Sequence, residues 1–271
     1  MNRFFTASLV LLFSLPAVCG ETMTAHDDLG REISLAQAAR RILTLSPHAT
    51  ELVVAAGAGE QLVGIAAGAA QSGKLGALPR IGGPGSLDRE ALLALRPDLV
   101  IGWQSGNRAG DLDWIDRTGI ALYRSEPASL RGIAESIRDI GLLSGTQAAA
   151  EESVRQFERG TSTACAHLPP QPAYVEIWEY PPMSVGGRHW INDVLLAAGY
   201  RNAFGDIDRG VFHIATEAAL AQAHLPAVST IRRHDGSRAD HLADILSIPG
   251  PRLVEAIQLL CQRRIGSISD R

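Results

Sequence analysis

Three cysteines, no surplus of basic charge and no membrane-length apolar run after the leader leave this 271-residue chain with few of the usual chemical handles. The formal net charge is −4, so there is no basic face to meet a nucleic-acid backbone. The pairs Arg232–Arg233 and Arg263–Arg264 are short and read as a solvated helix face or tail. Beyond residue 20 no stretch reaches the run of about 18 apolar residues that a membrane helix needs. There is no nucleophile elbow, no Cys-x-x-Cys and no His-Glu-x-x-His, and the eight histidines are scattered, so an enzyme is not expected. One near-motif, Gly68-Ala69-Ala70-Gln71-Ser72-Gly73-Lys74, follows most of a phosphate loop. It is succeeded by Leu75, which has no hydroxyl for magnesium, and Leu75–Pro79 makes a poor helix start, so it reads as an ordinary loop.

What is present begins with an export leader. Arg3 supplies positive charge, Phe4–Leu15 is apolar but too short to span a bilayer, and Ala17-Val18-Cys19-Gly20 offers small residues for cleavage. Residues 1–20 are therefore set aside as a cleavable signal peptide, and the chain is expected to be exported. Cys19 raises a lipid anchor, but Pro16-Ala17-Val18 lacks the Leu and the small residue of such a site. Cys165 and Cys261 remain; in an oxidising compartment they either pair or stay free, and two isolated cysteines do not make a metal site. A hydrophobic content of 46% supports a packed core. The length accommodates one large domain or two lobes of roughly 100–130 residues each.

Periodicity orders the first half. Met23–Leu35 reads as a hairpin turning at Asp27–Arg31. Strands are expected at Arg41–Leu45, Leu62–Ala66, Asp98–Trp103 and Ala121–Tyr123, with helices at Thr50–Ala56, Leu87–Leu95, Leu112–Thr118 and Leu130–Leu143. Strand and helix in alternation argue for a doubly wound, mainly parallel sheet, whose ligands sit beyond the carboxyl ends of the strands. That singles out Ser46-Pro47-His48, Ala67–Ala69, Trp103–Asn107 and Ser125-Glu126. A long helix over Thr146–His167 breaks at Leu168–Pro172. The second half resumes with a strand at Ala173–Trp178 and helices at Ile191–Ala198, Thr216–Ala223 and Leu253–Leu260. Between His224 and Ile248 only a strand hint at Ala227–Ile231 and a turn at His234–Gly236 stand out, so this half looks thin.

Arg41-Ile42-Leu43-Thr44-Leu45-Ser46-Pro47-His48-Ala49-Thr50-Glu51-Leu52 resembles the opening of periplasmic binding proteins for vitamin B12, haem and iron-siderophores. Asp28-x-Gly30-Arg31 also resembles that class. Leu95–Asn107 is similar to its cobalamin-binding branch, and Pro181-Pro182-Met183, Gly186-Gly187-Arg188, Ile191-Asn192-Asp193 and Pro249–Arg252 continue the likeness, which spans roughly residues 27–262. The resemblance implies two doubly wound, Rossmann-like α/β lobes joined by a single long helix, the helical-backbone metal and vitamin B12 receptor type, with the second lobe shortened. Its bounds would be 21–144 for the first lobe, 145–170 for the linking helix and 171–271 for the second. It also implies a monomer without cofactor or metal, which captures cobalamin or a related corrinoid for the permease subunits of an ABC importer. Haem or a ferric siderophore is the alternative ligand. A degenerate member that docks without ligand, or a secreted hydrolase using Ser46 and His48, are the rival classes.

By the same resemblance Glu90 and Glu217, one per lobe, dock on the transporter, although each also stands where a carboxylate favours a helix start. The departures are the Ala66–Ser72 segment and Pro84, where the family has aromatic positions, the shortened stretch around His224–Ile231, and Ala198, where the cobalamin branch has the cysteine that pairs with the C-terminal one. Trp103 would stack on a flat macrocycle, with Gly106 and Asn107 following it, or else close the core. Trp178, Tyr180, Met183 and Trp190 would form an apolar lip, Trp178 and Tyr180 on one face of a strand, or else Trp178 fills the second core. His48, after Ser46 and Pro47, ligates a metal centre such as cobalt or haem iron, caps a helix or faces solvent. Phe212 and His213 line the cleft, and Asp244 aligns with a polar ligand contact of the family.

Overall fold

The computed structural model describes residues 22–69, 73–83, 85–162, 164–232 and 238–269. The leader, residues 70–72 of the phosphate-loop look-alike, Pro84, Arg233 and the His234–Gly236 turn lie outside them.

Strands β1 (Met23–His26) and β2 (Glu32–Leu35) form the expected antiparallel hairpin. Asp27 shapes its turn by accepting from Leu29 N at 3.1 Å and Arg31 N at 2.9 Å, and Gly30 takes the left-handed φ of +75° that the turn demands. The fully buried β3 (Ile42–Thr44) runs into α1 (Pro47–Ala55). The helix starts at Pro47, three residues before the expected Thr50, because Ser46 caps it and proline suits the first turn. Next come β4 (Leu62–Gly64), the short antiparallel pair β5 (Gly82–Gly83) and β6 (Ser86–Leu87), and α2 (Arg89–Ala94), capped by Asp88. β7 (Leu99–Trp103), α3 (Ala109–Thr118), β8 (Ala121–Ser125) and α4 (Leu130–Ser144) complete the half. The sheet is parallel throughout, in the order β4-β3-β7-β8. Helices cover both of its faces, as a parallel sheet requires.

Helix α5 (Gln147–Thr161) returns along α4, and Gly141 lets the two approach so closely that any side chain there would overlap Ala150. It is shorter than the expected Thr146–His167, and a separate 3-10 turn at Ala164–His167 follows. β9 (Gln171–Glu176) then opens the second half, followed by β10 (Met183–Val185), α6 (Ile191–Ala197), β11 (Tyr200–Asn202), β12 (Val211–His213), α7 (Thr216–Leu220), β13 (Ala227–Ser229), α8 (Arg238–Leu246) and α9 (Leu253–Ser269). A three-stranded parallel sheet runs β11-β9-β13, beside the antiparallel pair β10–β12. This half is smaller than the first but has its own sheet. The sequence reading missed β10, β11, β12 and α8, and stopped α9 at Leu260. Strands of three residues are too short to show alternation.

A single apolar cluster runs from the hairpin and α1 through Ala150, Val154 and Phe157 of α5 into α6, α8 and α9. A second packs Leu92, Leu112 and Ile115 against the opposite face of the first sheet. The open question of the cysteines is answered: Cys165 and Cys261 form a disulfide with Cα atoms 5.7 Å apart. The resemblance put the family partner of Cys261 at Ala198. Here Cys165 supplies the sulfur from the neighbouring turn, where a Cβ on Gly199 would lie 3.6 Å from Cys165 Cβ.

Candidate functional site

The carboxyl ends of β3, β7 and β8 meet in a buried polar chain. Asp28 accepts from Tyr123 Oη and Ser136 Oγ, each at 2.8 Å, on one oxygen, and from Ser125 Oγ at 3.2 Å and Glu126 N at 2.6 Å on the other. Burial pushes its carboxyl upward, and these donors pull it back. Having donated to Asp28, Ser125 Oγ accepts from His48 Nε2 at 3.1 Å. His48 Nδ1 is then bare and accepts from Ser46 Oγ at 3.1 Å, while Ser46 Oγ caps α1 through Ala49 N. Desolvation lowers His48 to about 3, so the ring is neutral. Buried, with both nitrogens engaged, it has none left for a metal, which corrects the ligation role raised for it. The hydrolase role for Ser46 and His48 meets a different obstacle, since both are buried, at 2% and 1% exposure, away from any substrate.

The relay instead sets Trp103. The His48 ring stands edge-on to the indole at 5.1 Å and 81°. Gly106 lies under the indole, where any side chain would overlap it. Asn107 accepts from Trp103 N at 2.6 Å and donates to Leu45 O at 3.0 Å, tying the strand end to β3. Gly106 and Asn107 thus position Trp103, which is partly buried.

Between α1, α5 and the α8–α9 connection lies a cavity of about 650 Å³, within the range of small-molecule sites. Pro47, Thr50, Glu51, Val54 and Ala55 wall it from the first half, and Arg232, Asp244, Ser247, Ile248, Pro251 and Arg252 from the second. Glu51 bridges the halves through an ion pair to Arg252 Nε at 2.8 Å, and Arg232 pairs with Asp244. A second tie runs from Leu130 N to Asp193 Oδ2 at 2.9 Å, at the starts of α4 and α6. Of the residues expected to touch ligand, Pro47 and Asp244 line this cavity.

The aromatic lip is not one surface. Trp190 is buried at 8% exposure in the shared core, its ring 3.8 Å from that of His189. Trp178 and Tyr180 are 56% and 79% exposed. They do not alternate on a strand, because β9 ends at Glu176; they occupy the following turn, where Trp178 Nε1 donates to Tyr180 O at 2.9 Å. Met183, half-buried, leads β10 and bridges to Trp178. Phe212 packs edge-on against Phe204 at 6.0 Å, and His213 is exposed. Glu90 and Glu217 are exposed in the first turns of α2 and α7, their carboxylates without a hydrogen-bond or ion-pair partner among the described residues. The cavity residues that the sequence reading passed over are Glu51, Arg232 and Arg252. Glu51 offered one signal, a carboxylate next to Leu52 and Val53 on a helix otherwise largely apolar.

Comparison with known proteins brings a consistent set of relatives. A model of the periplasmic binding protein family matches residues 42–258. A protein named vitamin B12-binding protein from Vibrio parahaemolyticus is 26% identical over 244 residues, covering 82% of this chain and 88% of its own. One of the same name from Yersinia pestis is 29% identical over 174 residues, covering 63% and 62%. Among solved structures, the periplasmic vitamin B12 binding protein of Vibrio cholerae superposes with a TM-score of 0.70 at 25% identity, over 83% of this chain and 96% of that one. A periplasmic haem-binding protein from Roseiflexus, at 24% identity and a TM-score of 0.64 over 83% and 97%, shares the fold.

Proposed function

Since the chain belongs to the periplasmic binding protein family, we propose that it captures cobalamin or a related corrinoid in the periplasm and delivers it to the permease subunits of an ABC importer. The observation that carries this reading is the cavity of about 650 Å³ walled by both halves of the chain. A cavity of that kind offers a ligand two facing walls, and in this reading no bond is made or broken there. In this reading residues 21–144 and 171–271 are the two lobes and 145–170 the link. The protein works as a monomer, and the partly buried Trp103 and the exposed Trp178 and Tyr180, which lie outside the cavity lining, are the aromatic faces that a ligand reaching beyond the cavity would meet.

Calorimetric titration of residues 21–271 with cyanocobalamin, beside haemin followed by absorbance, tests it. Saturable one-to-one cyanocobalamin binding at about micromolar Kd or tighter supports the reading. Tighter binding of haemin overturns the corrinoid assignment, and binding of neither leaves only docking without ligand.

In this reading the exposed Glu90 and Glu217, in the first turns of α2 and α7, meet arginines of the permease. Reversing either charge, Glu90→Arg or Glu217→Arg, is expected to weaken permease association about tenfold or more. The ligand Kd should stay within about twofold. An unchanged association measured on reconstituted importer would remove both residues from the docking surface.

A further inference from the structure

The cavity carries its charge as matched pairs: Glu51 holds Arg252, and Asp244 holds Arg232. Each arginine on the wall already has a carboxylate beside it. The two carboxylates are not equally solvated. The Glu51 side chain is 18% exposed against 38% for Asp244, and Glu51 Oε2 is buried with no hydrogen-bond partner among the described residues. A Cβ on Gly250 would lie 2.6 Å from that oxygen, so the chain there closes over it. Burial pushes the Glu51 carboxyl up against the pull of Arg252.

A ligand carboxylate entering here would either pull Arg252 away from Glu51, stranding a poorly hydrated charge, or sit beside that charge in a medium that screens it weakly. A carboxamide leaves the pair intact and finds both donors and acceptors on the wall. Resting on the corrinoid reading above, we infer that Glu51 makes the cavity selective for a macrocycle rimmed with neutral carboxamides over one rimmed with carboxylates. Selection of this kind acts by penalising the wrong ligand.

Cyanocobalamin and its monocarboxylic acids, each with one peripheral propionamide replaced by a carboxylate, isolate that difference on one ring system. They are titrated at neutral pH into the wild-type protein, Glu51→Gln and Asp244→Asn. At least one monoacid is expected to bind the wild type about tenfold more weakly than cyanocobalamin, and Glu51→Gln to narrow that gap to about threefold or less. Monoacids that all match cyanocobalamin on the wild type overturn the inference, and this readout needs no variant to fold. A gap that persists in Glu51→Gln, or closes only in Asp244→Asn, overturns the assignment to Glu51. If cyanocobalamin itself does not bind the wild type, the corrinoid reading has failed, a result visible before any monoacid is added.

Discussion

Acidification from pH 7 to pH 4 is expected to cost the protein on the order of 5 kcal/mol of stability, through two buried histidines. His48 is lowered by desolvation from 6.5 to about 3 and His189 from 6.5 to about 4. Their exposures are 1% and 7%. The unfolded chain binds their protons first, so each histidine's contribution is present above pH 6.5 and drains away as pH falls toward the folded value. Each amounts to roughly 3 kcal/mol at pH 4. Asp139 opposes them, because burial and then the neighbouring Asp28 raise its carboxyl to about 6, and Asp28 and Glu51, raised by burial, act in the same sense. A raised carboxylate favours the fold below that value and loses its contribution as pH climbs from 3.8 toward 6. Asp139 is only about half-buried, so solvent screening leaves it about 1 kcal/mol. Urea melts at pH 7 and pH 4 measure the net loss, and His48→Gln should remove about half of the slope. A flat profile between the two pH values would mean that His48 and His189 are not held neutral.

Reduction of the Cys165–Cys261 disulfide is expected to lower the melting temperature by roughly 10 °C. The two residues are 96 apart in sequence, and closing a loop of about that length removes about 4.7 kcal/mol of chain entropy from the unfolded state. The bond also anchors α9 to the turn that leads into β9, so its loss falls on the smaller sheet. Differential scanning calorimetry with and without reductant reads the shift. The paired variant Cys165→Ala/Cys261→Ala should reproduce it, and a shift under about 2 °C would show that the second half needs no staple.

Much of the architecture was legible before the coordinates. The hairpin, the four parallel strands of the first sheet and their helices follow from apolar runs stopped by proline and glycine, and those signals are local. The polar relay was half visible. Ser46, His48 and Ser125 were singled out by their place after strands, but Asp28 reaches Ser125 from 97 residues away, a contact that only the folded sheet creates. The same holds for Glu51 and Arg252, separated by 201 positions. Trp190 was misread for another reason. Proximity in sequence to Trp178 and Tyr180 says nothing about direction once the strand has ended, and the start of α6 turns its ring into the core. The Cys165–Cys261 pairing stayed open on paper because the resemblance put the partner of Cys261 at Ala198, and only the fold shows that the next residue, Gly199, lies against Cys165.

The apolar cluster that passes without a break from the first half through α5 into the second has a bearing on timing. Swinging the halves widely apart would tear that continuous interior and wet it, so spontaneous gaping is rare. Under the proposed function, a ligand held between the halves would then leave only when a partner that engages both of them supplies the work of separating them.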